Sequence, residues 1–161
     1  MFEAASVELT GSLAVASPID DAFELFSPAG ETAWVVGWSP EWLYPAFGAW
    51  VPGQVFRTRN NANEAVWVVA ALDRQARFVE YHRLEPGRHV ARVRVQCSAS
   101  VTGQTEVVVR YHFVGLSDEG NQEISEMSPA SHAERMLRWQ DWIEQSRRQR
   151  RAGPWGERGS M

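Results

Sequence analysis

The stretch SPASHAERMLRWQDWIEQSRRQRR, from Ser128 to Arg151, places the strongest constraint on what this chain can fold into. On a helical projection Ala130, Ala133, Met136, Leu137 and Ile143 fall on one side, while Glu134, Arg135, Arg138, Asp141 and Gln145 spread over the other. That is the pattern of one amphipathic helix. Two starts are open to it: Ser128 ahead of Pro129 at the first helical position, or a capping box of Ser131 with Glu134. Arg147, Arg148, Arg150 and Arg151 lie where the helix dipole favours cations. At 1.5 Å per residue the helix is roughly 30 Å long, so it needs a large apolar partner.

The residues before it supply one. From Gln54 onward, strand-length segments alternate with turn signals: QVFRTR ends at Asn60-Asn61, EAVWVVAAL at Asp73-Arg74, and ARFVEYHRL at Glu85-Pro86-Gly87. HVARVRVQCSAS ends near Thr102-Gly103, and QTEVVVRYHFVGL ends at Asp118-Glu119-Gly120. Five strands in succession predict an antiparallel meander. In the last two, Ala91, Val93, Val95 and Cys97, then Val107, Val109, Tyr111 and Phe113, occupy one face, so odd positions point inward. The same parity carried back puts Trp67, Val69, Val79 and Tyr81 inside, with Glu80 and His82 outside.

Ahead of the meander, Val7, Leu9, Leu13 and Val15 alternate with polar or small residues, which predicts a first strand over about 6–16 with Gly11 marking a bend or bulge. Ser17-Pro18-Ile19-Asp20 reads as an N-cap, a first-turn proline and an N3 acid, opening a short helix that Ser27-Pro28 ends. Ala29 to Val35 predicts a second short helix. VVGWSPEWLYPAFGAWVPG, with proline and glycine among its aromatics, reads as an ordered loop, and a helical turn is expected near Gln122 to Met127.

At 161 residues the chain predicts one domain, over 1–151, with 152–161 as a flexible tail. Apolar residues make up 44% and no run approaches a membrane span, which points to a soluble globular protein. MFEAASVELT has no basic n-region, so no signal peptide and a cytoplasmic location are expected. A net charge of −4 argues against general nucleic-acid binding. Cys97 is the sole cysteine, which excludes an internal disulfide, and the absence of lysine excludes Schiff-base chemistry on that side chain.

The order strand, two short helices, five-strand meander and long C-terminal helix resembles the START/polyketide-cyclase (SRPBCC) superfamily, which has the helix-grip fold of the major birch pollen allergen. The residues that carry the likeness are ASPIDDAFELF, AVWVVAALD followed by VEYHRLEPG, TEVVVRYHFVGLSDEGN, and the final helix with Trp139 and Trp142. ETAWVVGWSPEWLYP is similar to a segment of small bacterial members with no assigned activity. The resemblance implies an α+β fold: a curved antiparallel sheet of about six strands around the long helix, enclosing an apolar cavity for lipids, sterols, polyketides or other hydrophobic ligands. These segments mark architecture, and none is a catalytic signature.

On that resemblance the candidate ligand contacts are Trp67, Val69, Tyr81, Val93, Val95, Val109 and Tyr111 from the sheet, with Met136 and Ile143 from the helix. Trp34 and Trp38, with Trp42 and Trp50, either stack on a flat ligand at the cavity mouth or plug the open end of the sheet. Gln140, central on the helix's apolar face, anchors a polar ligand group or bonds a strand backbone. Arg83 meets a ligand carboxylate or snorkels to the rim. His82 and His112 belong to an outer charge ladder, His89 to a turn and His132 to the first helical turn. No spacing suggests a metal site, no cofactor is expected, and Cys97 reads as a buried small hydrophobe. Trp142, opposite the apolar stripe, marks a homodimer or partner contact, or covers a neighbouring loop.

The expected function is binding of a small hydrophobic molecule between sheet and helix. The alternatives are a polyketide cyclase/dehydratase-like enzyme drawing on Gln140, Arg83 and Tyr81, and a co-chaperone-like interaction module working through Trp142 and the basic helix end.

Overall fold

The computed structural model describes residues 1–60 and 63–151. β1 (Ser6–Val15) is followed by α1 (Ile19–Glu24), a 3₁₀ turn (Gly30–Ala33), β2 (Glu41–Tyr44), β3 (Val55–Asn60) and β4 (Asn63–Asp73). Then come β5 (Phe78–Glu85), β6 (His89–Ala99), β7 (Thr105–Gly115), α2 (Asp118–Ser125) and α3 (Pro129–Arg151). The strands form one open antiparallel sheet in the order β1-β7-β6-β5-β4-β3-β2. The expected Asn60-Asn61 turn lies partly, and the expected tail 152–161 wholly, outside the described residues.

The sheet has seven strands, one more than the pattern predicts. The extra strand, β2, lies inside the tryptophan-rich stretch read as loop, where Glu41 and Trp42 pair with Arg57 and Phe56. Pro40 and Pro45 bracket it, and an edge strand tolerates proline at its ends because only one side joins the ladder. β1 pairs with β7 without interruption from Ser6 to Val15, so Gly11 marks no bulge. The bulge lies in β4: Val69 faces Tyr81 but Ala71 faces Glu80, leaving Ala70 as the extra residue. Beyond it the inward parity changes from odd to even, and Leu72, opposite Val79, packs on the core.

Gly11 is where α3 crosses β1. A Cβ there would stand 2.8 Å from Met136 Cγ and 2.9 Å from the His132 ring. The inward stripe of α3 is His132, Met136, Trp139, Ile143 and Ser146, at alternating spacings of four and three. Ala133 and Leu137, expected on that face, are exposed, Leu137 at 64%. The projection misplaced the stripe because its ends are polar residues that satisfy themselves internally. His132 Nε2 lies 3.1 Å from Val109 O, and the Ser146 hydroxyl donates to Ala33 O at 2.9 Å. Arg135, which can only donate, contacts His132 Nδ1 at 3.3 Å, so Nε2 carries the proton; burial lowers the ring's pKa and keeps it neutral. Gln140 Oε1 accepts from Ala14 N at 2.9 Å.

Of the two helix starts, Ser128 caps α3: its Oγ accepts from Ser131 N at 3.1 Å, and Ser131 Oγ accepts from Ser128 N at 3.0 Å. α2 begins earlier than expected, at Asp118, because Ser117 Oγ accepts from Gly120 N at 3.0 Å. α1 has no side-chain cap, and Ser17 instead offers its carbonyl to Thr105 Oγ1 at 2.8 Å.

The Gly11 contact yields a stability prediction. Gly11→Ala forces a methyl group against two buried side chains and should destabilise the fold by about 1–3 kcal/mol. Urea unfolding should show a lower midpoint at unchanged m; an unchanged midpoint would mean that α3 moves aside freely.

Candidate functional site

A partly enclosed cavity of about 160 Å³ lies between the inner face of the sheet, the 3₁₀ turn with the segment after it, and α3. Phe56, Trp67, Tyr81, Val93, Val95 and Tyr111 contribute from β3 to β7, Trp139 from α3, and Glu31, Val35 and Trp38 from the remaining side. The aromatic part of this wall follows from strand register. Phe56 and Trp67 are cross-strand partners whose rings stack at 5.7 Å, 8° from parallel. Tyr81 meets both edge-on, and Trp38 closes over the pair at 5.9 and 5.5 Å. The polar ends of these side chains find partners in the protein. The Trp38 indole donates to Pro28 O at 2.7 Å, the Trp67 indole to Thr58 Oγ1 at 2.9 Å, and the Tyr81 hydroxyl to Phe26 O at 2.7 Å.

Glu31 differs. It sits on a 3₁₀ turn folded tightly back on α1, where Ser27 Oγ accepts from Gly30 N at 2.9 Å and donates to Glu24 O at 2.7 Å. Only glycine fits at position 30, since a Cβ there would come within 1.9 Å of Glu24 O. The next residue, Glu31, reaches the cavity, and among the described residues none donates a hydrogen bond to its carboxyl. Burial alone raises its pKa well above the ordinary 4.5. Burial also raises Tyr81 well above 10.0, with the charge of Glu31 adding to it, and raises Tyr111.

Of the residues singled out in the sequence, Trp38, Trp67, Tyr81, Val93, Val95 and Tyr111 come together on the wall. Trp34, Val69, Val109, Met136 and Ile143 are buried in the core and do not line it. Trp34 donates to Leu25 O at 2.7 Å and packs edge-on against Phe26 and Trp139. Gln140 does not line the cavity either, its amide oxygen being engaged by β1. Trp42 and Trp50 fill space against Phe56 and Phe23. Trp142 is half-buried, not solvent-exposed, and borders a shallow cleft with Trp34 and Val36. Sequence reasoning missed Glu31, Val35, Phe56 and Trp139. A lone acid just ahead of the apolar run AWVV was the available signal for Glu31.

Arg83 lies on the inner side, stacked 5.3 Å over Trp67 and paired with Glu85. It lines an adjoining cleft with Arg135, which stacks 5.0 Å over Tyr111. The same end of the sheet holds a cluster absent from the sequence reading. The turn through Pro86 and Gly87 (φ +73°) returns the chain so that His89 is buried, and α2 brings up Glu123. His89 Nε2 lies 3.4 Å from both Glu85 and Glu123, and one ligand atom of each residue falls within 4.8 Å of the others. The spacing would suit a cation, but Arg83 pairs with Glu85 and Arg88 with both Glu123 and Glu85. Both carboxylates are therefore already matched by guanidinium groups, and burial lowers the pKa of His89. Cys97 is buried with its thiol pushed up to about 12, which leaves no nucleophilic thiolate.

No protein-family model matches the chain, and no curated protein matches it by sequence. Solved structures do match. The chain is similar to a hypothetical protein of Helicobacter pylori, with a TM-score of 0.66, 6% identity and 85% of each chain covered. It is similar to norcoclaurine synthase from Thalictrum flavum in complex with dopamine and hydroxybenzaldehyde, with a TM-score of 0.62, 10% identity and 88% of each chain covered. Major latex-like protein 151 from Panax ginseng gives 0.58 at 15% identity, over 88% of this chain and 94% of its own. At such identities the likeness is one of fold, and the chain has the helix-grip fold of the birch-pollen-allergen-like proteins. No described helix is long and apolar enough to cross a membrane.

The raised pKa of Glu31 gives a pH signature. The folded state holds this proton more tightly than the unfolded state, so between pH 4.5 and the raised folded value stability falls as pH increases. Glu31→Gln removes that dependence. Relative to wild type, the variant should gain stability progressively from pH 5 to pH 8 in thermal unfolding; parallel profiles would refute the assignment.

Proposed function

We propose that this protein binds a small, mainly apolar molecule, about one aromatic ring in size, in the cavity between the sheet, the 3₁₀ turn and α3. The observation that carries the reading is the wall itself, six of whose ten residues are aromatic. Sites for drug-sized ligands span roughly 300–1,000 Å³, whereas an engineered apolar cavity of about 150 Å³ in another protein takes up benzene. A volume of about 160 Å³ favours the smaller class over a sterol or a two-chain lipid. The fold is compatible with ligands of this scale, since the norcoclaurine synthase structure contains dopamine and hydroxybenzaldehyde.

Glu31 favours a second reading, catalysis of the polyketide-cyclase type in the same cavity. A carboxyl whose pKa is raised by burial is suited to act as a general acid, and a tight aromatic wall can hold a reactive chain in a productive conformation. Binding is the common requirement of both readings.

Titration with toluene, followed by tryptophan fluorescence, tests that requirement, because Trp38, Trp67 and Trp139 all face the cavity. Saturable quenching is expected, and Val93→Phe, which fills the space, should weaken it by at least about 10-fold while circular dichroism stays unchanged. Equal quenching in the two proteins, or none in wild type, would overturn the proposal. Native mass spectrometry of the protein as purified would then report the mass of any molecule it carries.

A further inference from the structure

The cavity wall distributes its polarity unevenly, and this bears on the class of ligand within the reading just proposed. Trp38, Trp67 and Tyr81 direct their N–H and O–H groups to protein acceptors, so they offer the cavity ring carbon and π electrons. The one carboxyl in the wall is that of Glu31, which no described residue contacts through a hydrogen bond. Both features favour positive charge. The face of an aromatic ring is the negative part of its quadrupole and attracts cations, and a carboxylate in a poorly hydrated site forms its strongest hydrogen bonds to an ammonium group. An anion would meet repulsion from the ring faces, and a neutral arene would leave the carboxyl unpaired.

The nearest cations do not fill this role. Arg83 and Arg135 sit over Trp67 and Tyr111 but line the adjoining cleft, not the cavity, and Arg83 is already paired with Glu85. Among the described residues, Trp38, Phe56, Tyr81 and Trp139 carry no stacked cation. We infer that the cavity selects a protonated one-ring arylalkylamine, its ring packed against these aromatics and its ammonium group paired with Glu31. The inference rests on the proposed binding function and names the chemistry of its ligand. Because burial raises the Glu31 pKa, pairing with an ammonium group shifts the carboxyl toward carboxylate, and the proton it gives up passes to solvent.

The test compares benzylamine, toluene and benzoate, titrated into the full-length protein at pH 7. Wild type should bind benzylamine at least about 10-fold more tightly than toluene, with benzoate weakest. Glu31→Gln should reduce the preference for benzylamine over toluene to within about 2-fold. Calorimetry in two buffers of different ionisation enthalpy should detect proton release with benzylamine and none with toluene, a readout that does not depend on the variant folding. Toluene binding equal to or tighter than benzylamine in wild type would overturn the inference while the binding function stands. If no arene or amine binds, both fall together.

Discussion

The crossing of α3 over β1 at Gly11 sets the geometry on which the rest of the molecule depends. With no side chain at that point, Met136 and His132 lie directly on the strand backbone. Three polar contacts then fix the helix along its length: His132 to Val109, Gln140 to Ala14 and Ser146 to Ala33. A helix held by side-chain-to-backbone hydrogen bonds along its length has little freedom to roll or slide, because each shift separates these polar groups from their partners. The position of α3 is therefore decided on one side of the sheet, near β1 and β7, and the space over β3 to β6 must be filled from elsewhere.

Bulky side chains on the 3₁₀ turn and the segment after it do that filling. Trp34 wedges between Phe26 and Trp139, and Trp38 closes on Phe56 and Trp67. Indole rings suit the task because a single residue covers a wide area and its one N–H can be tied to a nearby carbonyl, which fixes the plane of the ring. Rigid plates do not fill a concave space completely, and the remainder is the cavity. The residue left facing it from the turn is Glu31, placed there because Gly30 lets the chain fold back on α1.

Much of this was legible in the sequence. The meander, its turns and the odd inward parity of β6 and β7 follow from period-two alternation, and five wall residues were named on that parity, with Trp38 added from the tryptophan-rich loop. What escaped had specific physical causes. The β4 bulge reverses parity within one strand, so Leu72 turns inward where alternation puts it outside. β2 is four residues long, too short to show a period. The stripe on α3 runs through His132 and Ser146, which a hydrophobic projection assigns to solvent, and so Leu137 was taken for core. Glu31 gave almost no pattern at all, because an acid in a short turn is ordinarily solvated, and its partial burial arises from tertiary packing alone.

The cavity carries a cost that bears on its role. Residual void destabilises a core by about 24 cal/mol per Å³, so a space of about 160 Å³ corresponds to about 4 kcal/mol. Domains of this size are stable by only 5–15 kcal/mol, so this is a large fraction of the whole. Simple collapse would relieve it, yet the crossing at Gly11 holds α3 away and the tethered indoles hold the rings in place. A molecule that supplied both ring contacts and a partner for Glu31 would recover that free energy in the folded state alone. Binding and stability are then coupled through the same few side chains, and occupancy of the cavity raises the stability of the fold in proportion to affinity.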